Sequence, residues 1–214
     1  MNLNVVVLIS GGGSNLLALI NDSQSNDAPY KITGVISNYA EAGGLLHAQH
    51  ANIPTHVINH DNFADRHTFD QAMIRHIDAL QPDLVVLAGF MRILTDEFVN
   101  HYLGRMINIH PSLLPNYAGL DTHQRVIDAQ EAYHGASVHY VIPELDAGPV
   151  VLQACLKLTP EETAKALALR VLEMEHHIYP QSVRMIANGD IHFEENHAYM
   201  NGELLPQHGH QISF

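Results

Sequence analysis

The stretch Leu3-Asn4-Val5-Val6-Val7-Leu8-Ile9-Ser10-Gly11-Gly12-Gly13-Ser14-Asn15 decides the reading of the fold. Leu3–Ile9 is apolar on both faces and rich in β-branched residues, the pattern of a parallel strand covered by helices on both sides. Three glycines break the run, and an amphipathic segment follows at once. The alternation then repeats along the chain. Further strands are expected at Ile32–Ser37, Thr55–Ile58, Leu84–Leu87, Met106–Ile109, Ser137–Ile142 and Val150–Leu158. Helices are expected at Asn15–Asp22, Ala42–His50, Thr68–Leu80, Asp96–Tyr102, His123–Ala129 and from Glu162 to about Ile178. Pro82-Asp83 stops a helix, and Pro180 should kink or restart the last one. Asn188-Gly189 ends that segment, and the polar tail His192–Phe214 has room for one short hairpin around Asn201-Gly202. The expected architecture is α/β: a single doubly wound, mostly parallel sheet with helices on both faces, in one domain covering residues 1–214.

A chain of 214 residues can bury a sizeable core, with 46% hydrophobic residues. No apolar run approaches the ~18 residues of a membrane span. Leu3–Ile9 is too short for a signal-peptide core and has no Lys or Arg before it. Cys155, alone, excludes a disulfide framework and suits a reducing cytoplasm. Ten Lys and Arg against 23 Asp and Glu give a net charge of −13, and the bases form no run, so a nucleic-acid footprint is absent. An anionic ligand must therefore be held by backbone N–H groups and one or two placed arginines. The 17 histidines include no HExxH motif and read mostly as solvated surface, so no metal site is expected.

Three places carry chemistry. Ser10–Asn15 joins a strand to a helix, where glycines let backbone approach an anion and the helix N-terminus points N–H groups at it. The loop fits neither a dinucleotide fingerprint, because Leu16 holds the third glycine position, nor a Walker loop. It reads as a phosphate monoester site or as a tight turn capped by Ser14 or Asn15. Asn108 and His110, two apart at the carboxyl end of a strand, share one side and the zone where parallel sheets bind ligands. An amide donor and an imidazole there can stabilise an oxyanion and move a proton, or can be a satisfied buried pair. Asp146, in Leu145-Asp146-Ala147-Gly148-Pro149, is a turn residue or a carboxylate that orients and supports the His110 ring.

These segments occur in order with Ala88-Gly89-Phe90-Met91-Arg92-Ile93-Leu94, Asn108-Ile109-His110-Pro111-Ser112-Leu113-Leu114-Pro115, and His134-Gly135-Ala136-Ser137-Val138-His139. Together with Glu175-His176-His177-Ile178-Tyr179-Pro180, the set resembles the folate-dependent phosphoribosylglycinamide formyltransferase family from Leu3 to about Pro206. The resemblance implies a Rossmann-like formyltransferase fold. It also implies formyl transfer from 10-formyltetrahydrofolate, a co-substrate, to the glycine amine of glycinamide ribonucleotide in purine synthesis. It assigns the substrate phosphate to Gly13, Ser14 and Asn15, and the ribose hydroxyls to Glu175, otherwise a solvated helix carboxylate. Met91, Arg92, Ile93 and Leu94, with Asn108, would line the folate site. Arg66 would reach an anionic part of the folate, or is a solvated loop base. Asn108, His110 and Asp146 would be the catalytic group, with no metal. The N-terminal half would bind the ribonucleotide phosphate, and the C-terminal half would bind folate and carry the chemistry. Small molecules, and neither nucleic acid nor membrane, would be the partners of a monomer or homodimer.

The loop after Pro115 departs from the family pattern: where a basic residue and a Pro-Gly are common it reads Asn116-Tyr117-Ala118-Gly119-Leu120-Asp121-Thr122-His123. Asp121 stands where histidine is common and Ala147 where glycine is common, which bears on closure of the loop after Pro115. Among relatives in chemistry, a formyltetrahydrofolate deformylase usually carries an extra N-terminal domain, whereas strand one here starts at Leu3. A methionyl-tRNA formyltransferase needs a further C-terminal domain and basic surface. A non-catalytic nucleotide binder would explain the glycine loop but not the three polar groups elsewhere.

Overall fold

The computed structural model describes residues 2–214. The chain forms two compact units, residues 1–107 and 108–214. The first unit runs β1 (Leu3–Ile9), α1 (Ser14–Ser23), β2 (Tyr30–Ser37), α2 (Gly44–His50), β3 (Thr55–Val57), α3 (Arg66–Ala79), β4 (Leu84–Leu87) and α4 (Asp96–His101). β5 (Met106–His110) carries the chain across the boundary. Beyond it lie α5 (Thr122–Asp128), β6 (Tyr133–Tyr140), β7 (Val150–Lys157), α6 (Ala164–Ala187), β8 (Ile191–Glu194), β9 (His197–Met200), β10 (Glu203–Leu204) and β11 (His210–Ser213).

In the first unit the strand order is β3-β2-β1-β4, with parallel pairing of β1 to β2 and β4 and of β2 to β3. Val5 to Ile9 are wholly buried, as an apolar strand with two covered faces requires. Helices start where side chains accept the orphan amides: Asp65 takes the Thr68 N–H, and Thr95 takes the Phe98 N–H. α1 and α2 instead follow glycines that make no side-chain bond, and Gly13, before α1, has a left-handed φ of 78°. A Cβ there would lie 2.5 Å from Gly44 Cα, so the glycine loop packs backbone to backbone against α2.

In the second unit the order is β5-β6-β7-β11, with β6 and β7 antiparallel and β11 parallel to β7. β6 covers Tyr133–Tyr140 rather than the expected Ser137–Ile142. Its early start depends on Gly135, where a Cβ would run into the Ala154 carbonyl oxygen of β7. α6 is one continuous helix through Pro180 and ends at Ala187, not near Ile178. Proline removes one ladder bond, yet Ile178, Tyr179, Pro180 and Val183 are all buried, and that packing holds the helix together. The tail carries more than a hairpin: β8, β9 and β10 form a three-stranded sheet, and β11 returns to β7. The turn at Asn201-Gly202 joins β9 to β10, both residues having positive φ. Among the described residues no helix is long and apolar enough to cross a membrane.

The second unit buries two neutral imidazoles. Burial, then the neighbouring His123 and His110, pushes His134 down to about 4, and burial pushes His139 down as well. Both bind fewer protons folded than unfolded, where histidine titrates near ~6.5. Stability contributed by the neutral rings is therefore intact above pH ~6.5 and is lost as pH falls toward 4. Urea titrations should show unfolding free energy declining across that window, by on the order of 3 kcal/mol for His134 alone. His134→Asn should flatten the decline, and an equal slope in the variant would remove His134 from the account.

Candidate active site

The first unit carries the glycine loop. The carbonyl of Gly13 accepts the Leu17 N–H at 2.8 Å, so the N-terminus of α1 opens on the loop itself. Ser14 and Asn15 are the first two residues of that helix, and neither caps it, contrary to the turn-and-cap alternative. An open cavity of about 510 Å³ is lined by Ser10 to Asn15 together with Tyr39, His47, Gly89 and Met91. Gly11 and Gly12 would meet no protein atom within 4 Å if given a Cβ, so packing within the chain does not demand glycine at either.

Met91 to Leu94 form an irregular segment between β4 and α4, also in the first unit. The side chains of Met91 and Ile93 are 71% and 63% exposed, an unusual display for large apolar groups. Arg92 and Leu94 are half-buried. Arg66 is exposed and opens α3, one residue past its cap. On the same helix the buried Asp70 accepts the Thr95 N–H at 2.7 Å, which anchors the far end of the 91–94 segment. Burial raises the Asp70 carboxyl above its usual range, partly offset by that bond.

The second unit brings Asn108, His110 and Asp146 into one network. The i, i+2 spacing on β5 turns Asn108 and His110 the same way, as period-two geometry requires. His110 Nδ1 lies 3.4 Å from Asp146 Oδ2, and both side chains are less than a tenth exposed. His110 Nε2 lies 3.0 Å from the Tyr117 carbonyl oxygen, to which it donates. Asp146 Oδ2 also accepts the Gly119 N–H at 2.9 Å. Its backbone is left-handed, with φ of 51°, as a turn residue's can be, and its carboxylate also lies beside the His110 ring.

His139 completes the group and was not among the expected site residues. Its Nδ1 donates to the Tyr140 carbonyl at 2.9 Å, which leaves Nε2 as the acceptor for Asn108 Nδ2 at 3.2 Å. Asp146 Oδ1 is 3.8 Å from the same nitrogen. The neutral His139 ring thus fixes which way the Asn108 amide points. Its sequence signal was its place at the end of His134-Gly135-Ala136-Ser137-Val138-His139, one of the segments that carry the family resemblance. Nearby, His123 Nδ1 and His134 Nε2 share a hydrogen bond of 3.0 Å, with His123 lowered chiefly by burial. Glu175, on α6, is 7% exposed, which excludes the solvated-carboxylate alternative. Among the described residues no three His, Cys, Asp or Glu side chains are grouped to hold a metal ion.

Comparison with known proteins fits this arrangement. Residues 3–183 match the formyl transferase family. The chain is 45% identical over 208 residues to phosphoribosylglycinamide formyltransferase of Escherichia coli, covering 97% of this chain and 98% of that protein. It is 43% identical over 206 residues to the protein of the same name from Haemophilus influenzae, covering 96% and 97% of the two chains. The solved structure of phosphoribosylglycinamide formyltransferase from Coxiella burnetii, in complex with CHES, superposes with a TM-score of 0.95. It shares 49% identity and covers 99% of this chain and 100% of that one. Full-length likeness in sequence and in fold has one meaning: the chain belongs to the formyl transferase family, in its phosphoribosylglycinamide formyltransferase branch.

Proposed function

We propose that the chain transfers a formyl group from 10-formyltetrahydrofolate to the glycine amine of glycinamide ribonucleotide. The observation that carries this reading is the grouping of three side chains around the end of β5: His110 lies 3.4 Å from the Asp146 carboxylate, and Asn108 is hydrogen-bonded to His139, which lies beside the same carboxylate. In the first unit, the glycine loop and the N-terminus of α1 suit a phosphate monoester, with Gly13, Ser14 and Asn15 as its donors. The exposed side chains of Met91 and Ile93, with Arg92 and Leu94, suit a flat heteroaromatic ring, and Arg66 suits a carboxylate further along the folate. In the second unit, buried Glu175 suits ribose hydroxyls as an acceptor.

The reaction asks little else of the protein. The amine attacks the formyl carbon, and negative charge develops on its oxygen. Asn108 Nδ2 and a doubly protonated His110 would stabilise that oxyanion. The Asn108 amide is already oriented by His139, so little reorganisation accompanies the step. One proton then leaves the incoming nitrogen, one reaches the departing folate nitrogen, and the C–N bond to the folate breaks. His110 and Asp146 are placed to pass these protons directly or through water. Cys155 lies on β7 with its thiol raised by burial, so covalent catalysis through it has no support.

Loss of 10-formyltetrahydrofolate should require glycinamide ribonucleotide; loss without it would indicate a hydrolase, and none in either case a binder. His110→Ala should nearly abolish turnover while both KM values stay close to wild type, since its charge matters chiefly in the transition state. Asp146→Asn should fold normally, because asparagine tolerates a left-handed φ and its amide oxygen can still accept the Gly119 N–H. Its kcat should nonetheless fall by roughly two orders of magnitude or more. Near-normal kcat in either variant would remove that residue from the catalytic group. Ser14→Ala should raise KM for the ribonucleotide several-fold and leave KM for the folate unchanged; an equal rise in both would remove Ser14 from the phosphate site.

A further inference from the structure

We infer that Ser10 is a positioning residue that joins the two substrate-binding segments of the first unit, so that ribonucleotide and folate bind cooperatively. This rests on the functional reading above and adds a coupling that the assignment of the two sites does not contain.

The observation is one oxygen atom with three strand ends around it. β1 and β4 pair in parallel through Leu8 and Leu87, and the Ala88 N–H continues the ladder to the Leu8 carbonyl at 2.9 Å. Ser10 then donates its own N–H to the Gly89 carbonyl at 3.2 Å. At that point the β1 backbone turns away into the glycine loop, where the Gly11 carbonyl accepts the Gly44 N–H at 3.0 Å. The Ser10 side chain supplies a further rung: its Oγ accepts the Met91 N–H at 2.8 Å.

The direction of this bond is fixed, because a backbone N–H can only donate. The Ser10 hydroxyl proton must therefore go elsewhere, and Asn38 Oδ1 receives it at 2.6 Å. Asn38 follows β2 and is wholly buried. With its oxygen so committed, its Nδ2 faces His60 Nδ1 at 3.3 Å, a nitrogen that lies equally close to the Asn38 carbonyl oxygen. The order from Met91 N–H to Ser10 Oγ and on to Asn38 Oδ1 has one polarity. Ser10 Oγ thus sits where the phosphate loop, the folate segment and the end of β2 meet.

Two consequences follow from the geometry. The Met91 amide is occupied within the protein and is not available to a folate ring, so recognition through the backbone falls to Arg92, Ile93 and Leu94. The glycine loop cannot shift toward a phosphate without moving the acceptor of the Met91 N–H, and the reverse holds for the 91–94 segment. A ligand that orders one segment lowers the cost of ordering the other, and such coupling is reciprocal.

The test is a calorimetric titration of glycinamide ribonucleotide with and without saturating tetrahydrofolate, which lacks the formyl group and so cannot react. In the wild-type protein the ribonucleotide should bind about fivefold or more tightly when tetrahydrofolate is present. Ser10→Ala should bring that ratio close to one, and Ser10→Cys, whose sulfur is a weak acceptor, should do the same. Ser10→Thr, which keeps the hydroxyl, should retain the wild-type ratio. A purely structural role would weaken both ligands alike and leave the ratio untouched. A wild-type ratio of one, or an undiminished ratio in Ser10→Ala or Ser10→Cys, would overturn the inference while leaving the assignment of the two sites standing. Wild-type protein that binds neither ligand would overturn the functional reading and this inference together.

Discussion

A carbonyl oxygen cannot donate a hydrogen bond, and the Tyr117 carbonyl lies 3.0 Å from His110 Nε2. One proton of the Asn108–His110–Asp146 group is therefore held at Nε2, and the other ring nitrogen is left to face the Asp146 carboxylate at 3.4 Å. The same carboxylate oxygen takes the Gly119 N–H. A single short strip of backbone thus satisfies one atom on each of two side chains. Tyr117 and Asp146 both adopt left-handed φ angles, 56° and 51°, which cost on the order of 1 kcal/mol each for residues with a side chain. Conformations of that kind persist only where the surroundings hold them.

The surroundings here are two sets of bonds. Arg125, on α5, donates to the carbonyls of Ala118 at 2.7 Å and Leu120 at 3.1 Å, and its guanidinium lies 5.3 Å over the Tyr117 ring. Behind the strip, Ser137 Oγ donates to the Ser112 carbonyl and accepts from the Leu114 N–H and from Gln153 Nε2. That exhausts its one proton and two lone pairs, so the network is complete at its most buried atom. Gln153 also donates to the Leu114 carbonyl and accepts from Gln211 on β11. The C-terminal strand is consequently part of the support for the Pro-Ser-Leu-Leu-Pro segment, although its own side chains are mostly exposed.

Much of this was legible in the residues. Period-two spacing put Asn108 and His110 on one side of a strand end, and both lie there. Apolar runs marked β1 and β4 to the residue. What the residues do not show locally depends on contacts distant in sequence. Nothing local to His139 says that its ring accepts from Asn108, 31 residues away. Nothing around Ser10 says that its hydroxyl replaces a backbone acceptor for Met91, 81 residues away. Pro180 has the local character of a helix breaker, and tertiary burial overrode it. β8 to β11 are short and of mixed polarity, and β11 exists through its pairing with β7 rather than through its own pattern.

Ala147 and Asp121, which flank Asp146 and α5, differ in backbone conformation. Ala147 does not adopt a left-handed φ, so its methyl group carries no backbone strain; the adjacent Gly148 is the position where a Cβ would run into the Tyr140 carbonyl oxygen. Asp121 has φ of 57° and precedes α5 without a side-chain capping bond. A negative charge at a helix N-terminus is favourable by a few tenths of a kcal/mol, and the Asp121 carbonyl accepts the Arg125 N–H at 3.0 Å. The loop hydrogen-bonds His110 and Asp146 through backbone atoms, the Tyr117 carbonyl and the Gly119 N–H. Those atoms are common to every sequence that takes this backbone course. Side chains at 116, 118 and 121 can therefore vary without changing what the His110 ring and the Asp146 carboxylate touch, provided that Arg125 and the Ser137 network hold the course.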